Sequence, residues 1–340
     1  MKLLKLLLIN FLIFFITILL VEVFLGFWFS KNNFGIYMRK ERKINWITDI
    51  KINDQKYKFS YKRNFWGFRG EEFDPINVKI IFQGGSTGNQ RLTPEELTIV
   101  GQLNKRFKQD NLKHFIYNSS TDGKSTNGYV NDFLYWFPKI ENLNPKFVIF
   151  YIGINDSMIS NEKHWDLKIG KNKFDNIKDY IKNNSFFIDK FKIVKNKYFP
   201  RNILAYDLNS SELYQNFNYI NFDQAKKKHI KVSSEQKLKI DEFKKRLNKL
   251  NKIIKEEKFI PIFISQVKFD GLKDGILFHI NNELKKFATN NDYFMIRLDE
   301  LVEMNEGDFY DTVHTTPQGS KRIAEIIYPN LKKKLNEYNQ

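Results

Sequence analysis

Five short apolar runs in this chain, Val78–Gln83, Phe115–Ser119, Phe147–Gly153, Phe259–Ser265 and Tyr293–Asp299, each give way to a polar or glycine-bearing turn. Between them lie helical signals. Thr93-Pro94-Glu95-Glu96 offers a cap residue, a proline at the first helical position and a glutamate at the third. Ser233-Ser234-Glu235-Gln236 opens an amphipathic stretch to about Lys258, with Leu238, Ile240, Phe243, Leu247, Leu250 and Ile254 near helical spacing. Pro317 opens a last helix through Ile323, Ile326 and Ile327. Strands that alternate with helices return to one sheet by crossovers, so the pattern predicts an α/β fold with a mainly parallel, doubly wound sheet.

The 340 residues read as one large domain, with residues 77–335 carrying the alternation. Residues 162–232 interrupt it and read as an insertion, a lid, a substrate wall or a cover for the core. Residues 30–76 read as a polar, aromatic-rich approach segment. Cysteine is absent, which excludes disulfides, zinc–cysteine sites and thiol chemistry. The net charge of +17 raises the question of nucleic acid, because a basic surface attracts phosphate. The lysines are spread along the chain with acids nearby, so no nucleic-acid partner is expected. An anionic lipid surface or acidic polysaccharide suits that charge better.

From Leu6 to Phe29 the chain is apolar except at Asn10, Thr17 and Glu22. A hydrocarbon core needs about 20 helical residues, whereas the apolar region of a cleaved signal peptide runs to about 7–15 and ends in a small-residue site. Gly26-Phe27-Trp28-Phe29 instead reads as an aromatic interface belt, so residues 6–29 are expected to be an uncleaved, single-pass anchor. Glu22 lies near the end of that span, within reach of headgroups or of a partner in the membrane. Lys31, Arg39, Lys40, Arg42 and Lys43 after the span outnumber Lys2 and Lys5 before it. That count favours a cytoplasmic domain, but large following domains translocate largely regardless of charge. The expectation is a catalytic domain on the extracytoplasmic side, periplasmic or on the outer face.

In open parallel sheets ligands bind beyond the carboxyl ends of the strands, and polar residues fall there repeatedly. Val78–Gln83 leads to Gly84-Gly85-Ser86-Thr87, Phe115–Ser119 to Thr121-Asp122-Gly123, and Phe147–Gly153 to Ile154-Asn155-Asp156. Asp311-Thr312-Val313-His314 precedes the last helix. A serine nucleophile needs a base, and the base needs an anion to orient it. Ser86, His314 and Asp311 are candidates for those roles. The backbone N–H groups of Ser86 and Gly123 and the side chain of Asn155 are candidates for an oxyanion hole. Gln266, after the fourth strand, is a candidate substrate contact, and Asp156 a residue that holds its own loop. His114, His164, His229 and His279 lack metal-ligand spacing, so neither a metal nor a cofactor is expected.

These blocks resemble those of the SGNH-hydrolases, the GDSL-type esterase/lipase superfamily, which contribute Ser, Gly, Asn and His in that order. The resemblance runs over about residues 64–328 and implies a flavodoxin-like doubly wound sheet. Gly123 fits the second block, with Gly128 the alternative. Asn64-Phe65-Trp66-Gly67-Phe68-Arg69-Gly70 is similar to a segment of membrane-anchored bacterial members. Gly85 stands where the founding pattern has aspartate. The resemblance implies a membrane-anchored serine esterase acting on an O-acylated carbohydrate or a lipid-like ester through an acyl-serine. Two rivals stay open: an O-acyltransferase for a surface polysaccharide with the same triad, and a non-catalytic, membrane-tethered module that binds glycan or lipid.

Overall fold

The computed structural model describes residues 2–29, 46–52, 54–159, 164–167, 173–198, 207–208 and 217–338. The charges counted after the apolar run, Lys31 through Lys43, lie outside them, as do residues 162–163, 168–172, 199–206 and 209–216 of the expected insertion. The chain begins with α1 (Lys2–Leu25), β1 (Trp46–Ile52), β2 (Gln55–Tyr61), β3 (Ile80–Gln83), α2 (Ser86–Asn89) and α3 (Ile99–Gln109). It continues through β4 (Ile116–Asn118), α4 (Thr126–Asn131), β5 (Phe147–Ile152), α5 (Ile154–Met158), α6 (Lys173–Asn184) and α7 (Phe186–Tyr198). Then come β6 (Asp207–Leu208), α8 (Phe222–Lys228), α9 (Ser234–Glu257) and β7 (Ile260–Ser265). Last are α10 (Gly275–Asn290), β8 (Phe294–Ile296), α11 (Leu298–Leu301) and α12 (Pro317–Asn336). Two compact units result: Met1–Lys40 with Ile169–Asn202, and Glu41–Lys168 with Ile203–Gln340.

In the larger unit the five apolar runs form one parallel sheet, ordered β4-β3-β5-β7-β8. Counted along the chain, that order is second, first, third, fourth, fifth: the flavodoxin-like doubly wound arrangement, with its switch point between β3 and β5. Side chains alternate across a strand, and both faces are covered here. Ile80, Phe82, Ile149, Tyr151, Ile262 and Ile264 pack in one buried cluster with Leu103 and Phe107 of α3 and Ile323, Ile327 and Leu331 of α12. The intervening Ile81, Val148, Phe150 and Phe263 are also buried, with the Phe150 and Phe263 rings stacked at 5.3 Å. Burial on both faces explains why these strands read as continuous apolar runs.

Helix starts follow the local chemistry. Ser233 and Gln236 close a reciprocal capping box at the start of α9, and Lys258 ends that helix in a left-handed conformation (φ 58°). Thr316 caps α12 ahead of Pro317. The start expected at Thr93 is displaced. The Thr93 carbonyl accepts a hydrogen bond from Arg69 (2.6 Å), Glu95–Leu97 makes only a 3-10 turn, and α3 starts after Thr98, whose hydroxyl accepts from the Gly101 N–H. Pro94, the expected first helical residue, instead takes an extended ψ of 144°, so no helix propagates from Thr93. The approach segment contains the β1–β2 hairpin, antiparallel across a turn where Asp54 takes φ 64°. With β6 the hairpin makes a separate three-stranded sheet.

Beyond β5 the chain is pinned by Asp156. Its carboxylate accepts the Thr126 N–H (3.0 Å), the Thr126 hydroxyl (2.9 Å) and Arg246 Nε (2.8 Å) from α9. Burial raises the Asp156 pKa above the usual carboxylate range, and Arg246 and Thr126 pull it back. Breaking a buried pair leaves an uncompensated charge, so Arg246→Met should cost about 3–5 kcal/mol. Urea denaturation at neutral pH checks this, and a change within error would show that Asp156 does not depend on the guanidinium.

Candidate active site

The first candidate residue sits where β3 ends. Ser86 opens α2 directly after Gly84 and Gly85, and the Gly84 carbonyl accepts the Thr121 N–H of the next loop (3.1 Å). A Cβ on Gly85 would lie 1.8 Å from Asn155 Nδ2, so the missing side chain makes room for the Asn155 amide beside Ser86. That amide donates to the Lys124 carbonyl at 2.7 Å. The loops after β3, β4 and β5 therefore meet at the switch point. Gly123 occupies the turn of the middle loop with φ 71°, which suits a residue without Cβ. Gly128, the alternative for that block, lies inside α4, where a Cβ would stand 2.3 Å from the Lys124 side chain.

Asp311 and His314 meet directly. The carboxylate accepts the N–H groups of Val313 (2.9 Å) and His314 (2.7 Å) on one oxygen, and its other oxygen lies 2.6 Å from His314 Nδ1. Burial pulls the Asp311 pKa up, but the His314 hydrogen bond, the imidazole charge and the two N–H groups outweigh it, and the pKa lies below the usual value. Behind the imidazole the Tyr310 ring stacks in parallel at 5.7 Å and 8°. Tyr310 in turn packs with Ile52 of the hairpin, Tyr57 and Leu92. Among the described residues no hydrogen bond joins the Ser86 hydroxyl to His314. Catalytic hydrogen bonds are often long without substrate and tighten when it binds.

What links the serine turn to the histidine loop is Gln90, which the sequence reading did not single out. It ends α2 in a left-handed conformation (φ 45°) and is 2% exposed. Its amide donates to the hydroxyls of Thr315 (3.0 Å) and Ser320 (2.5 Å) and accepts the Ile99 N–H (2.7 Å). Thr315 directly follows His314. Two buried arginines hold the same edge. Arg69 donates to the carbonyls of Asn89, Gln90 and Thr93 and pairs with Glu95. Arg63 donates twice to the Ser120 carbonyl (3.0 and 3.1 Å) and once to that of Gly67 (2.8 Å). The signal for both was the Asn64–Gly70 segment, which Arg63 directly precedes and which contains Arg69.

Lys124 is also unforeseen. It is 1% exposed, its ammonium pairs with Asp132, donates to the Ser119 carbonyl and lies 5.2 Å from the Trp136 ring centre. Burial lowers the Lys124 pKa and raises that of Asp132 to about 6. Gln266 stands differently from the expected substrate contact. It is 2% exposed, its oxygen accepts the Ile154 N–H (2.7 Å) and its nitrogen donates to Thr87 (2.9 Å), so both ends tie loops together. Asp122 accepts from Asn89 (2.7 Å) and pairs with Arg91 (3.2 Å).

The model of the GDSL-like Lipase/Acylhydrolase family matches residues 77–327. Solved structures to which the chain is similar include TesA, 12% identical, covering 75% of this chain and 98% of its own, with a TM-score of 0.43. The psychrotrophic esterase EstA from Pseudoalteromonas sp. is 10% identical over 76% of this chain and 98% of its own, with a TM-score of 0.41. A catalytic mutant of Axe2, an acetylxylan esterase from Geobacillus stearothermophilus, is 12% identical over 74% and 93%, with a TM-score of 0.42. No curated protein matches the chain.

Two measurements probe this geometry. A carboxyl held below its unfolded value of about 3.9 contributes stability above that pH and loses it as the pH falls through the folded value. Asp311→Asn should therefore unfold more easily than the parent at neutral pH, and the difference should close in strong acid. A gap that persists there would mean that the carboxylate charge is not what the loop uses. Gln90→Ala leaves the Ile99 N–H and two hydroxyls short of a partner and should cost about 1–3 kcal/mol in urea denaturation.

Proposed function

The chain belongs to the GDSL-like lipase/acylhydrolase family and is an ester-hydrolysing enzyme; from that premise we propose that it is a membrane-anchored serine esterase that works through an acyl-Ser86 intermediate. The observation that carries this reading is the 2.6 Å Asp311–His314 pair on a loop that Gln90 ties to the end of the Ser86 helix. In the proposed reaction Ser86 Oγ attacks the ester carbonyl while His314 Nε2 takes its proton. Asp311 holds the imidazole through Nδ1 and stabilises its cation. The tetrahedral oxyanion is met by the N–H groups of Ser86 and Gly123 and by Asn155. An amide nitrogen carries two N–H bonds; one goes to the Lys124 carbonyl, which orients the other. Collapse breaks the carbon–oxygen bond, His314 returns the proton to the leaving alcohol, and water repeats the sequence to free the acid.

The anchor is α1. It has 24 residues, a mean hydropathy of 2.8 over its most apolar window, and none of that window is buried in the protein. At about 1.5 Å per residue it exceeds a hydrocarbon core of about 30 Å. We assign the enzyme domain to the extracytoplasmic side, because large domains after such an anchor translocate largely regardless of charge, and the alcohol half of the substrate to carbohydrate, as the family resemblance implies.

A fluorophosphonate should label Ser86, located by peptide mass spectrometry, and His314→Ala should abolish labelling; labelling of that variant at the parent rate would remove the histidine from the mechanism. Asn155→Ala should lower kcat on p-nitrophenyl acetate by about 10²–10³ with little change in KM, the effect of one lost oxyanion donor. Acetylated oligosaccharides should be deacetylated. Acyl transfer to an added sugar in preference to water would reassign the enzyme as a transferase.

A further inference from the structure

The smaller unit contains two helices that the ester chemistry does not use. Along α7, Phe187, Phe191, Val194 and Tyr198 recur at spacings of four, three and four residues, which puts them on one stripe. All are exposed, Phe191 by 67% and Tyr198 by 65%. On α6, Ile177, Tyr180 and Ile181 form a second exposed apolar stripe. A groove of about 430 Å³ is lined by Ile177, Ile181 and Ile188 together with Lys178 and Lys182. Lys190 and Lys195 are exposed on α7 beside its stripe. In water, a helix pair that shows this much apolar surface needs something to cover it.

The contacts with α1 point to the occupant. Glu22, three residues before the end of α1, accepts the N–H groups of Phe186 (3.1 Å) and Phe187 (3.2 Å), so its carboxylate caps the start of α7. The Phe27 N–H donates to the carbonyl of Asn184, the last residue of α6 (2.8 Å). Gly26 lets the chain turn back there: a Cβ would lie 2.4 Å from both the Glu22 carbonyl and Trp28 Nε1, which are themselves hydrogen-bonded at 2.9 Å. The Trp28 and Tyr180 rings meet edge to face at 5.8 Å, and the Tyr180 hydroxyl donates to the Trp28 carbonyl. The junction of α6 and α7 is thus fixed at the level where the apolar helix ends. In a bilayer that is the headgroup boundary, where tryptophan and tyrosine concentrate.

We propose that α6 and α7 form an interfacial platform, lying on the bilayer surface with their apolar stripes in the acyl boundary and their lysines against anionic headgroups. An interfacial helix combines an apolar face with a lysine-bearing polar face; α7 presents Phe187 and Phe191 and α6 presents Ile177, Tyr180 and Ile181, each with lysines beside them. The platform gives Glu22 its role: a charge near the end of the span, neutralised in part by the first turn of α7. The inference rests on the membrane-anchor reading of α1 and adds to it a second, peripheral contact.

The absence of cysteine makes the test direct. Phe191→Cys, Val194→Cys and Leu12→Cys, each in the full-length protein, are labelled with a nitrobenzoxadiazole probe. They are reconstituted in vesicles of phosphatidylcholine and phosphatidylglycerol that carry nitroxide lipids. An interfacial helix sinks its apolar face about 5–10 Å into the boundary. The probes at Phe191 and Val194 should shift to the blue and be quenched more by shallow than by deep nitroxides. The probe at Leu12 should favour deep ones. Leaving out phosphatidylglycerol should weaken quenching at Phe191 and Val194 while leaving Leu12 unchanged. Quenching at Leu12 without quenching at Phe191 and Val194 overturns the platform and leaves the anchor standing, the stripe then facing water or another protein. No quenching at Leu12 overturns the anchor, and the platform with it.

Discussion

A parallel sheet satisfies its own backbone but leaves unpaired the carbonyls of the chain that turns away from it, and at the carboxyl edge of this sheet that chain is buried. Arg69 and Arg63 answer that constraint. Carbonyls of Asn89, Gln90 and Thr93 converge on one guanidinium and that of Ser120 on the other. A buried carbonyl without a partner costs about 1–3 kcal/mol, so turns with several of them do not hold without such donors. The guanidinium suits the task because its five N–H bonds fan out in a plane and cannot be deprotonated. The residues ahead of β3, outside the sheet, thus decide the shape of the loops beyond it.

The same logic recurs around the site. Asp156 gathers Thr126 and Arg246, Gln266 joins Ile154 to Thr87, and Gln90 joins Ile99 to Thr315. Each is a polar side chain inside the protein with partners on two separate segments. These ties hold Ser86, Asn155 and His314, which come from loops far apart in the chain, on one edge. Preorganisation of this kind lets donors face a developing charge without moving.

The sheet was legible in advance because strands buried on both faces leave continuous apolar runs, and the run at Phe147–Gly153 needed no other information. The Asp311–His314 pair was legible because three residues suffice for a carboxylate to reach back to the imidazole. Other features were hidden for physical reasons. Thr93 carries every local mark of a helix cap, but Pro94 after it is extended and its carbonyl is bound by Arg69, more than twenty residues away in the chain, a contact that no local rule sees. Gln90, Gln266 and Lys124 belong to residue types that are mostly exposed, so their burial shows only once the loops are assembled. The hairpin of β1 and β2 lay in a stretch that reads as polar, although Ile52 and Tyr61 of its strands are buried.

Lys124 has a chemical consequence. A primary amine beside an ester of serine is a hazard: it can take the acyl group by O-to-N migration and keep it as an amide, which an esterase does not readily cleave. This chain has a lysine immediately after the glycine of its second block. Its carbonyl faces Asn155, but its nitrogen is turned into the interior, held by Asp132 and Ser119 and covered by Trp136. The backbone of Lys124 can therefore help shape the proposed site while its amine is held away from any acyl group on Ser86, the proposed nucleophile.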